Sequence, residues 1–261
     1  MGEALEQTAE RIKREQDFHD RLSAKSFESR RLINRLSSSY YDKGERSRVW
    51  GPFWSSVDLS STKVLDYGCG DGCFSSWLVS RGAEVTSIDI SPELIALANR
   101  SALRDGPKPT FLVRDAHCTE FPSSSFDFVF GNGILHHLDL RLAYAEIARI
   151  LRPGGRAVFM EPIEGSLFLK LFRLATPSAR SIDEKPLSIA DIQVAKTIFA
   201  HVYHREHFCL ALAAAPVHLV NEAVARSCVR ALDAFDQLVF KLIPIARRYA
   251  WLTLIDMQKS S

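Results

Sequence analysis

The feature that most constrains this chain is a glycine-rich turn set between a short apolar strand and a helix. Val64-Leu65 runs into Asp66-Tyr67-Gly68-Cys69-Gly70-Asp71-Gly72, and residues 72–81 then carry a helical pattern closed by Gly82. Glycines at alternate positions permit φ > 0 and let a ligand approach the backbone closely. The alternation continues beyond the turn. Further strand signals lie at 85–89, 111–113, 126–130 and 156–160, separated by helical stretches. One helix opens on Ser91-Pro92-Glu93: a capping Ser, Pro at the first helical position, and an acid in the first turn. Another, at 140–151, is closed by Arg152-Pro153-Gly154-Gly155, a stop-and-turn signal. Strands alternating with helices predict a parallel sheet with right-handed crossovers.

The spacing of the glycines separates two ligand classes. A dinucleotide loop reads G-x-G-x-x-G. Here Gly68, Gly70 and Gly72 give G-x-G-x-G, with Asp66 in front and Cys73 where the longer fingerprint needs Gly. Asp89 ends the second strand about 20 residues past the loop, where an acid accepts hydrogen bonds from ribose hydroxyls. Ser91 already serves as helix cap, which leaves Asp89 for a ligand. Asp115-Ala116 follows the third strand. Gly131-Asn132-Gly133-Ile134-Leu135-His136-His137-Leu138 follows the fourth.

In this order and spacing, residues 62–161 resemble the class I, Rossmann-like methyltransferases that use S-adenosylmethionine. The nearest broad groups are the ubiquinone- and menaquinone-type enzymes and those of natural-product metabolism. The motifs carrying the resemblance are the acidic glycine turn at 66–72, D-A leading to F-P at 115–122, F-D-F-V at 126–129, L-H-H at 135–137 and L-R-P-G-G at 151–155. The resemblance implies a doubly wound, mostly parallel seven-stranded α/β sheet, with S-adenosyl-L-methionine as cofactor and S-adenosyl-L-homocysteine as product. It implies a cofactor site built from Tyr40, Asp66, Gly68, Cys69, Gly70, Gly72, Asp89, Ile90, Asp115, Ala116, Gly131 and Asn132. Asp115 would take the adenine amino group, and the next backbone N–H a ring nitrogen.

Methyl transfer from a sulfonium is an in-line displacement that needs alignment and exclusion of water. A base is needed only where the acceptor must lose a proton. His137, with His136 beside it, is the candidate base; the same pair could instead only shape the cofactor pocket. Tyr40, Tyr41, Trp50 and Trp54 either cap the cofactor or pack an N-terminal lid. Packing is favoured, with Tyr40 or Tyr41 expected near the ligand. An iron–sulfur radical site fails by one thiolate, since Ser76 stands where a third cysteine would follow Cys69 and Cys73. His201, His204 and His207 alternate across a strand, so no metal is expected. Glu161-Pro162 either faces the acceptor or ends the fifth strand. Arg173, Arg180, Asp183 and Glu184 read as a solvated loop before an acceptor clamp.

Three regions are expected: an N-terminal helical lid over 1–61, a cofactor-binding α/β core over 62–161, and remaining core strands with helical acceptor-side insertions over 162–261. The lid begins with an exposed amphipathic helix at 3–24 and a second at 27–37. A helix is expected at 188–199, and strands at 203–208 and 251–257. Between those strands, Leu219, Val224, Val229, Leu232, Phe235, Leu238, Val239 and Leu242 recur at helical intervals. They form either a helical cap or an apolar wall for a lipid-like acceptor, with peripheral membrane contact.

A net charge of +2 gives no argument for nucleic acid. Five scattered cysteines and the lack of a leader-like segment suit reduced thiols in a cytoplasmic protein. No apolar run of about 18 residues predicts a membrane span. The expected protein is a monomer or homodimer that methylates O or C of a small, apolar or natural-product-like molecule. The alternatives are a catalytically silent binding relative and a nicotinamide oxidoreductase; the loop spacing and Asp115 argue against the latter.

Overall fold

The computed structural model describes residues 2–24, 49–102, 107–175 and 184–261. The expected helix at 27–37 and Tyr40-Tyr41 lie outside the described residues. Helix α1 (Gly2–Ala24) is followed by the short α2 (Gly51–Trp54), β1 (Lys63–Tyr67), α3 (Cys73–Ser80), β2 (Glu84–Asp89), α4 (Pro92–Ser101), β3 (Thr110–Val113) and β4 (Phe126–Asn132). A single 3-10 turn, Leu135–His137, precedes α5 (Leu140–Ile150), β5 (Leu151–Pro162), α6 (Leu167–Ala175), α7 (Ile189–Ala195) and β6 (His201–His207). The chain closes through a 3-10 segment (Leu210–Leu219), α8 (Glu222–Leu242), a second 3-10 segment (Pro244–Tyr249) and β7 (Leu252–Gln258).

The described strands form one seven-stranded sheet, ordered β3-β2-β1-β4-β5-β7-β6. The first five pair in parallel, and β7 runs antiparallel between β5 and β6. This is the predicted doubly wound sheet. The connections put helices on both faces, so strands are buried on both sides and read as apolar runs rather than alternations. Along β1, Val64 packs into one core with Leu78 of α3, while Leu65 and Tyr67 join Ile147 of α5 in the other. Trp50 and Trp54 are in the first core, tilted against Phe130, and do not reach the pocket described below. They are packing residues, as favoured.

Two local readings need correction. The Arg152–Gly155 turn is absorbed into β5 as a bulge: the register with β4 jumps from Phe126↔Leu151 to Phe128↔Arg156, with Gly154 at φ 71°. The apolar intervals of 219–242 do not form one buried face. Helix α8 buries Ala225, Val229, Asp233, Asp236 and Phe240 and leaves Val224, Phe235, Leu238 and Leu242 exposed. Two carboxylates occupy its inner face because Asp236 accepts three backbone N–H groups, from Cys209, Leu210 and Ala211, at 2.9–3.0 Å. No apolar pattern announces such a face. The helix packs on the β6–β7 side, and none of its residues lines the pocket described below.

Candidate cofactor and acceptor site

The carboxyl ends of β1, β2, β3 and β4 meet at one pocket, where ligands bind in open α/β sheets. Gly68 and Gly70 hold φ +78° and +54°, a region that disfavours side chains. A Cβ on Gly68 would lie 2.7 Å from Ile134, whereas one on Gly70 would meet nothing within 4 Å. The turn is thus packed on one side and open to a ligand on the other. Gly70 donates its N–H to Asp89 Oδ2 at 2.9 Å, and Ser91 donates its N–H to Oδ1 at 3.0 Å. Each carboxylate oxygen keeps a lone pair for a ligand hydroxyl. Burial nonetheless holds the Asp89 pKa above the ordinary value.

Asp115 accepts the His117 N–H at 2.8 Å and pairs with His117 Nδ1 at 2.9 Å. Burial works against its charge, but these bonds keep its pKa below the usual carboxylate value. The Tyr67 hydroxyl donates to the Ala116 carbonyl, tying β1 to the loop after β3.

The structure sorts the sequence-predicted residues. Gly68, Gly70, Asp89, Ile90, Asp115, Ala116, Asn132 and His137 line the pocket. Asp66, Cys69, Gly72 and Gly131 support it from behind. Asp66 is buried, accepts the Ser75 hydroxyl at 2.6 Å, and has a pKa pushed up to about 7 by desolvation. Burial and neighbouring acids raise the Cys69 thiol pKa, so it is no nucleophile. Gly131 leaves room for Phe159. His136 turns to a neighbouring cleft shared with Lys185 and Asp191. Tyr40 is outside the described residues.

Sequence reasoning placed the first helix in a lid, read it as exposed, and named none of its residues as reaching the pocket. Helix α1 is not simply exposed: Arg11, Ile12, Glu15 and His19 form the fourth wall. Arg11 Nη2 donates to the His137 carbonyl at 2.5 Å, and the Ser91 hydroxyl bonds Asp20. The signal available was faint: Ile12, Glu15 and His19 share a helix face by their spacing of three and four.

The two histidines are held by different acids. Glu161, fully buried at the end of β5, accepts the N–H groups of Ile134 and Leu135 at 2.9 Å and pairs with His136 Nδ1 at 2.7 Å. It fixes the turn that carries both rings. His137 Nδ1 lies 3.1 Å from Glu15 Oε2, and His19 Nε2 lies 3.6 Å from the same oxygen. Burial lowers the His137 pKa against the pull of Glu15, which favours a neutral ring. Donor atoms of Glu15, His19 and His137 lie within 4.8 Å of one another, a spacing that could also admit an ion. The histidines singled out from sequence go elsewhere: His204 Nδ1 pairs with Glu206 at 2.5 Å, and His207 is buried near Asp233.

Residues 65–159, from β1 through the centre of β5, match the family described as a methyltransferase domain. Residues 65–159 are a class I methyltransferase domain. The chain is 36% identical over 137 residues to a demethylmenaquinone methyltransferase of Thermus thermophilus, covering 50% of this chain and 59% of that protein. It is 35% identical over 129 residues to a ubiquinone biosynthesis O-methyltransferase of Xylella fastidiosa, covering 48% and 51%. The chain spans about half the length of the curated relatives it matches. Around the methyltransferase domain, the fold extends to distant structures. Phosphoethanolamine N-methyltransferase 2 of Haemonchus contortus, in complex with S-adenosyl-L-methionine, superposes with a TM-score of 0.58 at 20% identity, over 94% of this chain and 60% of that one. A methyltransferase of Mesorhizobium loti gives 0.56 at 18%, over 84% and 99%.

Proposed function

We propose that this protein transfers the methyl group of S-adenosylmethionine to a small, apolar acceptor. The observation that carries the reading is the shared pocket: the open face of Gly70, the Asp89 carboxylate and the Asp115 carboxylate line it together at successive strand ends. Asp89 suits the ribose hydroxyls, and Asp115 with the Ala116 N–H suits the adenine edge. The charged sulfonium supplies the activated methyl group; the chain's work is to bind, orient and exclude water. Helix α1 performs the last of these by closing the pocket with Ile12 and Glu15.

Ile134 and Leu138 give the remaining space an apolar lining, and two relatives are a demethylmenaquinone methyltransferase and a ubiquinone biosynthesis O-methyltransferase. An oxygen or an activated carbon of a quinol-type ring is the acceptor we favour. His137 is the candidate base. Its pKa lies below 6.5, so it is neutral and able to take a proton at pH 7. Methyl transfer to a hydroxyl should accordingly fail as pH falls through that lowered value.

Calorimetry with S-adenosylmethionine and with NAD tests the cofactor. Binding of NAD in preference to S-adenosylmethionine would end the proposal. Asp89→Ala removes hydrogen bonds to a charged acceptor and should weaken cofactor binding by about 10- to 100-fold. Mass spectrometry of phenolic and quinol acceptors then reads turnover as gain of one methyl group.

A further inference from the structure

Part of the apolar periodicity read in the sequence at 219–242 is exposed, and it is joined by a second exposed apolar stripe on another helix. On α6, Leu167, Leu171 and Leu174 are 64%, 55% and 79% exposed. Their spacing of four and three puts them on one side of the helix. On α8, Phe235, Leu238 and Leu242 form a second exposed stripe at intervals of three and four. This stripe runs on into Ile243, Ile245 and Tyr249, also exposed. The segments that carry the two stripes approach one another at one end. Gly165, just before α6, lies so close to the 244–249 segment that a Cβ on it would be 1.8 Å from the Arg248 carbonyl oxygen.

Charge on the same elements is one-sided. Residues 164–175 and 238–251 hold five cations, Lys170, Arg173, Lys241, Arg247 and Arg248, against the single acid Glu164. The whole chain carries only +2, so this is a local accumulation and not a general basicity. The nearby acids of α8, Asp233 and Asp236, face inward and are buried. A second copy of this chain is a poor occupant, because a two-fold interface would bring the same cations against themselves. Arg247 already lies 4.0 Å from the buried Glu206, and a zwitterionic or apolar partner offers the other cations no counter-charge. An anionic bilayer accepts both features: leucines at the depth of the headgroup boundary, and Lys and Arg among the phosphates.

We propose that the face made by α6, the end of α8 and residues 244–249 docks on an anionic lipid bilayer. No helix among the described residues is long and apolar enough to cross a membrane, so the contact is peripheral. The face adjoins the pocket side of the sheet. Helix α6 follows the end of β5, and the Gly133 N–H at the pocket rim bonds Met160 of that strand. The consequence for acceptor supply, direct capture of a membrane-dissolved molecule, rests on the proposed activity. The docking itself does not.

Vesicle flotation of the full chain tests it, using phosphatidylcholine alone and phosphatidylcholine with about one-third phosphatidylglycerol. Binding to the anionic vesicles, with little to phosphatidylcholine, is expected. Leu171→Glu with Leu242→Glu should abolish it. Lys241→Gln with Arg248→Gln should weaken it about fivefold per charge removed, with salt mimicking the loss. All these sites are exposed, and S-adenosylmethionine calorimetry on each variant should match the parent. A normal cofactor isotherm with no flotation overturns the docking and leaves the methyltransferase reading standing. Flotation with no cofactor binding does the reverse. A dimer by light scattering that the two Leu→Glu substitutions dissociate, with no vesicle binding, assigns the face to a second copy and overturns the proposal. Deleting 215–243 is unsuitable, since Val229, Phe240 and the Asp236 cap belong to the scaffold.

Discussion

Two buried aspartates of the cofactor half and one of the C-terminal half are treated in opposite ways. At the carboxyl edge of β1 and β2, Asp66 and Asp89 are taken out of water with too few donors, and both pKa values rise. In the β6–β7 half, Asp236 takes three backbone N–H groups at the start of a 3-10 segment. Asp89 keeps bonding capacity facing the pocket, with Asp66 buried behind it; Asp236 uses its capacity up in holding the chain. A buried polar group that is fully paired is scaffold, and one that is underpaired costs stability unless a ligand completes it.

The sharpest way to break this contrast is pH. Asp66 has a folded pKa of about 7 against 3.8 in its ordinary state. Between about pH 4 and 7 the unfolded chain ionises this group while the folded one keeps its proton. Stability should therefore fall as pH rises across that window, by an amount on the order of 4 kcal/mol for so buried a site. Asp115 and Glu146, held below their ordinary values, act in the opposite sense only at the acid end, whereas His137, lowered by burial, opposes the trend just below pH 6.5. Denaturant titrations at pH 5 and pH 8 measure the slope. Asp66→Asn should remove the Asp66 part of this slope, and a variant whose slope equals the parent's would refute the account of Asp66.

Next in size is Asp236→Ala. It leaves three backbone donors without their acceptor and should cost about 3 kcal/mol, read from the denaturation midpoint. The comparison demands that cofactor affinity stay unchanged in this variant. A fall in affinity equal to that of Asp89→Ala would mean the two halves are not separable. The smallest effect is Asn221→Ala. Its side chain accepts from Ala223 and Val224 as the N-cap of α8, and its loss should cost about 1 kcal/mol. It should leave the pH slope of the other half intact.

The sequence was legible where chemistry is local. The glycine turn, Asp89 and Asp115 sit at strand ends defined by a few neighbouring residues, and the parallel order of five strands follows from their alternation with helices. Arg11 meets His137 across 126 positions, and Asp20 meets Ser91 across 71. The sequence placed α1 in a lid, but only the spacing of Ile12, Glu15 and His19 hints at which of its residues reach the pocket. Glu161 was read as either a strand end or an acceptor contact. Its observed task, fastening the histidine turn through two backbone donors and a ring, depends on a chain reversal invisible in one dimension. The C-terminal half failed for another reason. Apolar periodicity marks buried faces only when the buried residues are apolar, and α8 buries two aspartates while exposing Phe235, Leu238 and Leu242.

The antiparallel strand β7 has a consequence for how the molecule is made. It slots between β5 and β6, and the Arg156–Asp256 pair that ties it to β5 joins residues 100 positions apart. Until β7 emerges, β5 is a free edge of the sheet, carrying Val158, Phe159 and Met160 with their ladder groups unpaired. At about 5–20 residues per second of synthesis, that edge waits roughly 5–20 s for its partner. The methyltransferase domain ends in sequence at β5, but its sheet has no finished border until the last strand arrives. A nascent chain stalled before residue 252 should therefore be sticky, and a chaperone that masks strand edges would find its target here.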